Sequence, residues 1–284
     1  MIGKLHMTTL FGPRERAGSS FATVGCGASE NQPACTGLPG SETSIACSPP
    51  ECHRATSSEP AAPALKTECG PFVSGLEARP FWLETSDRVR LYEVEAGDGR
   101  TAVVLAHQGQ SNLCDTLDYA KTLLARGLRV LAFDFRGNGL SQRPSHNALA
   151  LGRDLAAAVE RAHADGAAHV FLIGASMGGA AAVQNGARLA VSGIVSLSGT
   201  RLWAGYGINK PGAHALSAPL LYIGSRDDSR APLQEARTVF GQVGSRDKRI
   251  VLYPGALHGW QLVEETRPGP TNHALIEAWI KARS

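Results

Sequence analysis

The sequence lacks the features that would place it in a membrane or on a nucleic acid. No apolar run reaches the roughly 18 residues that a membrane-spanning helix needs. There is no cluster of lysine and arginine with interleaved aromatic residues, and the net charge over 284 residues is only +3. We therefore expect neither a transmembrane segment nor a nucleic-acid partner. The chain also has no internal repeat.

The first 70 residues lack aspartate and have few large apolar side chains. They are rich in glycine, serine, proline, threonine and cysteine. Such a segment cannot bury enough apolar surface to offset the entropy lost on ordering. We therefore predict a disordered N-terminal tail over residues 1–70 and a folded domain over residues 71–284.

The six cysteines match no metal-binding finger spacing. Cys114 lies in the predicted domain, and the predicted tail holds the other five, Cys26, Cys35, Cys47, Cys52 and Cys69. A cysteine-rich tail fits an exported protein with disulfides. The stretch ending at Cys26 loosely resembles a bacterial lipid-attachment box, although charged residues interrupt the apolar segment that should precede it. A cytoplasmic protein with an inconsequential tail is the other interpretation, so the compartment stays open.

Beyond residue 71, short apolar runs alternate with amphipathic segments of helical period. The predicted strands are 81–85, 89–94, 102–106, 130–133, 170–173, 194–197, 220–223 and 250–253. The predicted helices are 117–126, 149–164, 180–189, 232–242 and 273–281. Continuous apolar runs are typical of strands buried on both faces. The pattern predicts an α/β fold: a mostly parallel sheet of about eight strands, helices on both faces and an antiparallel hairpin at its start.

Ser176 is the candidate nucleophile. It lies in Gly174–Gly179, which directly follows a predicted strand and directly precedes a predicted helix. A G-x-S-x-G sequence in that setting forms a tight turn that needs small residues two positions either side of the serine. The turn raises the hydroxyl above the sheet edge and directs the helix N-terminus at the reacting oxygen.

A serine nucleophile needs a general base and a carboxylate that orients it. His258 lies in a loop just after the last predicted strand, where its ring can reach the serine. Asp227 and Asp228 follow the preceding strand, so the chain order is serine, aspartate, histidine. Counting from Gly224 selects Asp227, and counting back from Pro232 selects Asp228. We favour Asp227 because the strand end fixes the loop more firmly, and we keep Asp228 as the alternative.

The tetrahedral intermediate of acyl transfer needs two N–H donors for its oxyanion. Met177, directly after the nucleophile, is expected to supply one. The loop after the strand ending at Ala106 is expected to supply the other, from Gln108 or Gly109. We interpret His107 as a structural residue that holds this loop by hydrogen bonds.

These segments resemble the bacterial α/β hydrolases of the serine esterase type over about residues 75–284. The residues that carry the resemblance are 106–109, 134–141, 174–179 and 258–259. The resemblance implies an α/β-hydrolase fold and a Ser–Asp–His triad. It also implies that segment 134–141 is a structural turn beside the site. The sequence departs from the family at Gln108, where His-Gly is usual at 107–108.

Only about 18 residues separate Gly199 from Ala218, where many members of this fold insert a cap. We therefore predict a domain without a cap and an open site. Trp203, Tyr206 and Trp260 are candidate wall residues for an acyl or alcohol pocket. Their alternative role is packing.

The predicted activity is hydrolysis of small carboxylic esters, with a preference for short acyl chains because an open site covers few carbons. A thioesterase, a dienelactone-hydrolase-like enzyme and a peptidase use the same machinery and remain alternatives. A non-catalytic binding module is a further alternative from a different class. We expect no cofactor and no metal, and the sequence leaves the oligomeric state open.

Overall fold

Short runs rich in apolar residues form the strands of this protein, and helices pack on both faces of the sheet that they make. The computed structural model describes residues 61–202, 205–264 and 267–284. Its strands are β1 Arg79–Glu84, β2 Arg90–Ala96, β3 Thr101–Ala106, β4 Arg129–Phe133, β5 His169–Ala175, β6 Gly193–Leu197, β7 Leu220–Ser225 and β8 Lys248–Tyr253. All eight strands form one sheet, which confirms the predicted strand count.

The strand order in the sheet is β1-β2-β4-β3-β5-β6-β7-β8. β1 pairs antiparallel with β2, and β2 pairs antiparallel with β4. The pairs from β4 across to β8 are all parallel. Parallel strands end at the same edge of a sheet, so the loops after β3, β5, β7 and β8 converge there.

Helices cover both faces of the sheet. They are α1 Leu65–Cys69, α2 Leu117–Leu124, α3 Leu151–Ala164, α4 Met177–Asn185, α5 Lys210–Ala215, α6 Leu233–Gln242, α7 Gln261–Glu264 and α8 Gly269–Lys281. Short 3-10 turns lie at Gly70–Val73, Leu113–Thr116 and Gly186–Arg188. Apolar side chains of α3, α4, α5 and α6 enter the core on one face, and those of α1, α2, α7 and α8 enter the core on the other. None of the helices in the described ranges is long and apolar enough to cross a membrane.

The folded domain begins earlier than the predicted boundary at residue 71. Leu65 and Cys69 of α1 are buried in the core, and Cys69 forms a disulfide with Cys114. The Tyr92 hydroxyl donates a hydrogen bond to the Pro63 carbonyl over 2.8 Å. The segment escaped prediction because α1 is one short turn in a proline- and glycine-rich context. Residues 1–60 of the predicted tail, with Cys26, Cys35, Cys47 and Cys52, lie outside the described residues.

Candidate active site

Ser176 occupies a sharp turn between β5 and α4. Its φ is +48°, in the left-handed region that side chains other than glycine rarely adopt. The Ser176 N–H donates to the Leu197 carbonyl at the end of β6 over 2.8 Å. The Ser176 carbonyl accepts the N–H of Ala180 over 2.8 Å. Backbone bonds on both sides therefore hold the strained residue, as is common at functional positions.

The two outer glycines of the motif are required by backbone contacts. A Cβ on Gly178 would lie 2.2 Å from the Ala106 carbonyl oxygen, at the end of β3. A Cβ on Gly174 would lie 2.5 Å from the Gly178 carbonyl. The turn thus packs directly against the neighbouring strand, which is the physical reason for the small residues predicted on each side of the serine.

The loops after β7 and β8 bring a carboxylate against an imidazole. His258 Nδ1 lies 2.7 Å from Asp228 Oδ2, and both residues are buried. Asp228 Oδ1 accepts the backbone N–H of Arg230 over 2.9 Å and that of Ala231 over 3.2 Å. Burial opposes ionisation of Asp228, but the hydrogen bond and charge of His258 outweigh it, so the pKa of Asp228 lies below its usual value.

The preference for Asp227 as the partner of His258 is wrong. Asp227 is exposed, and its backbone N–H donates to the Gly255 carbonyl over 2.9 Å. Its Oδ2 accepts the Gly255 N–H over 3.2 Å. Because β7 runs on to Ser225, past the predicted end at residue 223, backbone pairing to the β8 side continues through Asp227. Asp228 is then the carboxylate that turns towards the histidine.

His107 anchors the loop that follows β3. The Phe135 N–H donates to His107 Nε2 over 2.9 Å, so the ring proton lies on Nδ1, which is 2.7 Å from the Gln108 carbonyl. Burial lowers the pKa of His107 to about 4, which keeps the imidazole neutral. These contacts fix the backbone of Gln108 and Gly109 beside Ser176, and all three residues line one cavity.

Gln108 stands where the resembled family usually has glycine after a histidine. Its side chain is accommodated because residue 259, next to His258, is glycine. A Cβ on Gly259 would lie 2.2 Å from Gln108 Oε1. Gly259 has a φ of +59°, which glycine adopts without strain. The glycine after His258 therefore provides both the backbone turn and the space that Gln108 occupies.

Segment 134–141 supports the loops of the site from behind. Asp134 Oδ1 accepts the Leu113 N–H over 2.7 Å, and Oδ2 accepts the Leu140 N–H over 2.8 Å. Burial raises the pKa of Asp134 to about 6. Its carboxylate joins the turn to the 3-10 segment that follows the His107 loop and carries Cys114. The contacts fit the structural role that the sequence predicts for this segment.

The cavity above Ser176 has a volume of about 470 Å³ and a mostly polar wall. It is lined by Gln108, Gly109, Gln110, Ser176, Thr200, Arg230 and His258. Sequence reasoning missed Gln110, Thr200 and Arg230. The sequence could have indicated Arg230, because it follows Asp228 by two residues in the loop after β7. No local sequence pattern specifies the loop conformations that place Thr200 and Gln110.

The prediction that aromatic side chains line the pocket is wrong for Tyr206 and Trp260, the two of these residues that the structure describes. Trp260 is buried in the core, where its ring lies 6.2 Å from that of Tyr119 between centroids. The Tyr206 hydroxyl accepts a hydrogen bond from Asn185 over 2.6 Å, and Tyr206 lines a different cavity. Both side chains are thus used in packing, the alternative role. Trp203 lies outside the described residues.

The sheet order and the sharp turn after β5 are those of the α/β-hydrolase fold. Residues 97–212 match the model of a family described as serine aminopeptidase, S33. A comparison with curated proteins gave no match.

Solved structures of several esterases have the same fold. Esterase Pf2001 of Pyrococcus furiosus superposes with a TM-score of 0.66 at 16% identity, covering 78% of this chain and 94% of that one. An esterase of Exiguobacterium antarcticum gives 0.58 at 16% identity, covering 70% and 98%. A cold-adapted esterase from an Arctic intertidal metagenomic library gives 0.57 at 22% identity, covering 73% and 94%. These likenesses confirm the predicted fold class.

Proposed function

We propose that this protein is a serine hydrolase that cleaves carboxylic esters through an acyl-enzyme intermediate. The observation that carries the proposal is the convergence of Ser176 and His258 on one cavity, with Asp228 bonded to the far side of the histidine ring. The esterase identity of the structural neighbours supports the same activity. Ester cleavage by these groups needs no cofactor.

In the first half-reaction, Ser176 Oγ attacks the ester carbonyl carbon while its proton passes to His258 Nε2. The carbonyl oxygen becomes an oxyanion, for which the Met177 N–H and a loop N–H, of Gln108 or Gly109, are the proposed donors. Asp228 holds the proton of His258 on Nδ1 and stabilises the imidazolium that forms. His258 then protonates the leaving alcohol as the C–O bond breaks.

In the second half-reaction, a water molecule replaces the alcohol. It gives a proton to His258 and attacks the acyl carbon of the Ser176 ester. Collapse of the second tetrahedral intermediate returns that proton to Ser176 Oγ and releases the carboxylic acid. The acid–base residue is thus reset at the end of each cycle.

We further propose that the site is open, without a cap, and that it favours short acyl chains. Each buried CH2 contributes about 0.8 kcal/mol only where protein covers it, and the polar wall gives little apolar surface for a long chain. A series of p-nitrophenyl esters tests this: kcat/KM should level off at short chain length. A rise that continues into long chains would contradict it.

A peptidase is the second candidate, because the matching family model is described as a serine aminopeptidase. The same triad can cleave amides, so the decision rests on substrates. Purified protein should be assayed with matched esters, thioesters and aminoacyl p-nitroanilides. The esterase proposal expects the highest kcat/KM on the oxygen esters. A higher kcat/KM on the anilides would replace it with the peptidase.

A further inference from the structure

The wall of the active-site cavity combines neutral polar groups with one permanent positive charge. Its amide and hydroxyl side chains belong to Gln108, Gln110 and Thr200, and its charged side chain is Arg230. The described lining includes no aspartate or glutamate, since Asp228 lies behind His258. The chamber next to the nucleophile is therefore suited to an anion.

Arg230 is held in place by its backbone and leaves its side chain available. Its N–H donates to Asp228 Oδ1 over 2.9 Å, which ties its position to the carboxylate that orients His258. Arg230 is exposed, and no carboxylate in the described ranges pairs with its guanidinium. A guanidinium offers several N–H donors in a planar fork that matches a carboxylate.

Thr200 gives an independent indication of a ligand in the same cavity. The residue is buried and lines the cavity, yet its hydroxyl has no hydrogen-bond partner within the part of the chain that is described. Buried polar groups are almost always hydrogen-bonded. An unpartnered hydroxyl in the wall of a catalytic cavity marks a place where a substrate oxygen can accept a hydrogen bond.

We propose that the preferred substrates are esters that carry a second, free carboxylate on their acyl or alcohol part, and that Arg230 and Thr200 bind it. This rests on the proposed esterase function and names its substrate class. The carboxylate would form charge-assisted hydrogen bonds with Arg230 and accept a bond from Thr200. An uncharged ester of the same shape would leave both groups without a partner.

The test uses two substrate pairs, one for each possible position of the carboxylate. The first pair is p-nitrophenyl hemiglutarate and p-nitrophenyl 5-methylhexanoate, in which an uncharged, branched end of similar shape replaces the carboxylate. The second is meta-carboxyphenyl butyrate and phenyl butyrate. For each pair the measured quantity is the ratio of kcat/KM on the charged ester to kcat/KM on the neutral one, in the full-length protein.

Arg230→Gln should lower this ratio by about 10-fold or more in at least one pair, as expected for a hydrogen bond to a charged group. Thr200→Val should lower the ratio of the same pair by roughly 3-fold or more. The matched control is Arg226→Gln: Arg226 is exposed in the same loop and anchored by its N–H to the Tyr253 carbonyl, but it does not line the cavity. It should leave both ratios as in the wild type.

The outcomes separate this inference from the esterase proposal. If the wild type hydrolyses the neutral esters and Arg230→Gln leaves both ratios within twofold, the carboxylate inference is overturned and the esterase stands. If Arg226→Gln lowers the ratio as much as Arg230→Gln, a general charge effect replaces a specific site and the inference is also overturned. If the wild type hydrolyses neither member of either pair, both proposals fail. We expect Arg230→Gln to keep the wild-type Tm, because Arg230 binds Asp228 through its backbone N–H and not through its side chain. The unchanged Tm then serves as the folding control.

Discussion

Removing the disulfide between Cys69 and Cys114 should destabilise the domain substantially. The two cysteines are 45 residues apart, and a cross-link closing a loop of that length stabilises by about 4 kcal/mol through the entropy of the unfolded chain. For a domain of this size, that difference corresponds to a fall in Tm of roughly 8–16 °C. The bond also joins α1 to the 3-10 turn beyond the His107 loop, so its loss should loosen the N-terminal segment first.

The assay is urea unfolding of the double variant Cys69→Ala/Cys114→Ala beside the wild type, each with and without dithiothreitol. The reduced wild type should unfold like the double variant. Adding dithiothreitol to the variant should change nothing, which controls for the other four cysteines. A loss of less than about 1 kcal/mol would refute the entropic reasoning.

Because such bonds persist in oxidising compartments, we also expect the protein to be exported, and finding it only in the cytosol would contradict that.

Three further substitutions test particular carboxylates. Asp228→Asn should lower kcat by about 10³- to 10⁴-fold because the orienting carboxylate is lost, whereas Asp227→Asn should have little effect; steady-state kinetics in which Asp227→Asn is the severe variant would contradict the assigned geometry. Glu93 is fully buried with no hydrogen-bond partner for its carboxylate among the described residues, and burial raises its pKa well above the ordinary value of 4.5. Unfolding releases this proton, so wild-type stability should fall as pH rises above about 4.5, by up to about 1.4 kcal/mol per pH unit until the folded-state pKa is reached. Glu93→Gln should remove that slope in urea unfolding measured across pH, and an unchanged slope would show that Glu93 is not its source.

The parallel strands could be predicted from the sequence because each is a short, mostly apolar run between turns. All eight predicted strands overlap observed ones. The shortest helices could not be predicted, since α1 and α7 have only one turn and too few residues to show a helical period. The disulfide holds α1, and both helices pack into the core on one face of the sheet, so their stability depends on residues distant in sequence.

The candidate site could be predicted where a local motif fixes the backbone. The turn around Ser176 is such a case, because backbone atoms leave no room for a Cβ on Gly174 or Gly178. The choice between Asp227 and Asp228 depends on how far β7 continues its pairing, which is a property of the sheet and not of the loop sequence. The pocket wall was predicted wrongly for a related reason. The position of Trp260 after His258 suggested a pocket residue, but the turn after His258 directs its side chain into the core.

The most direct test of the central claim is the site of covalent labelling by a fluorophosphonate. This reagent phosphonylates a serine that is activated by a neighbouring base. We predict that mass spectrometry of the labelled wild type finds one adduct, on the peptide containing Ser176. We also predict that Ser176→Ala gives no adduct and loses ester hydrolysis by several orders of magnitude, with an unchanged Tm as the folding control. Labelling at a different serine, or a Ser176→Ala variant that keeps more than about a tenth of the wild-type kcat, would contradict the account.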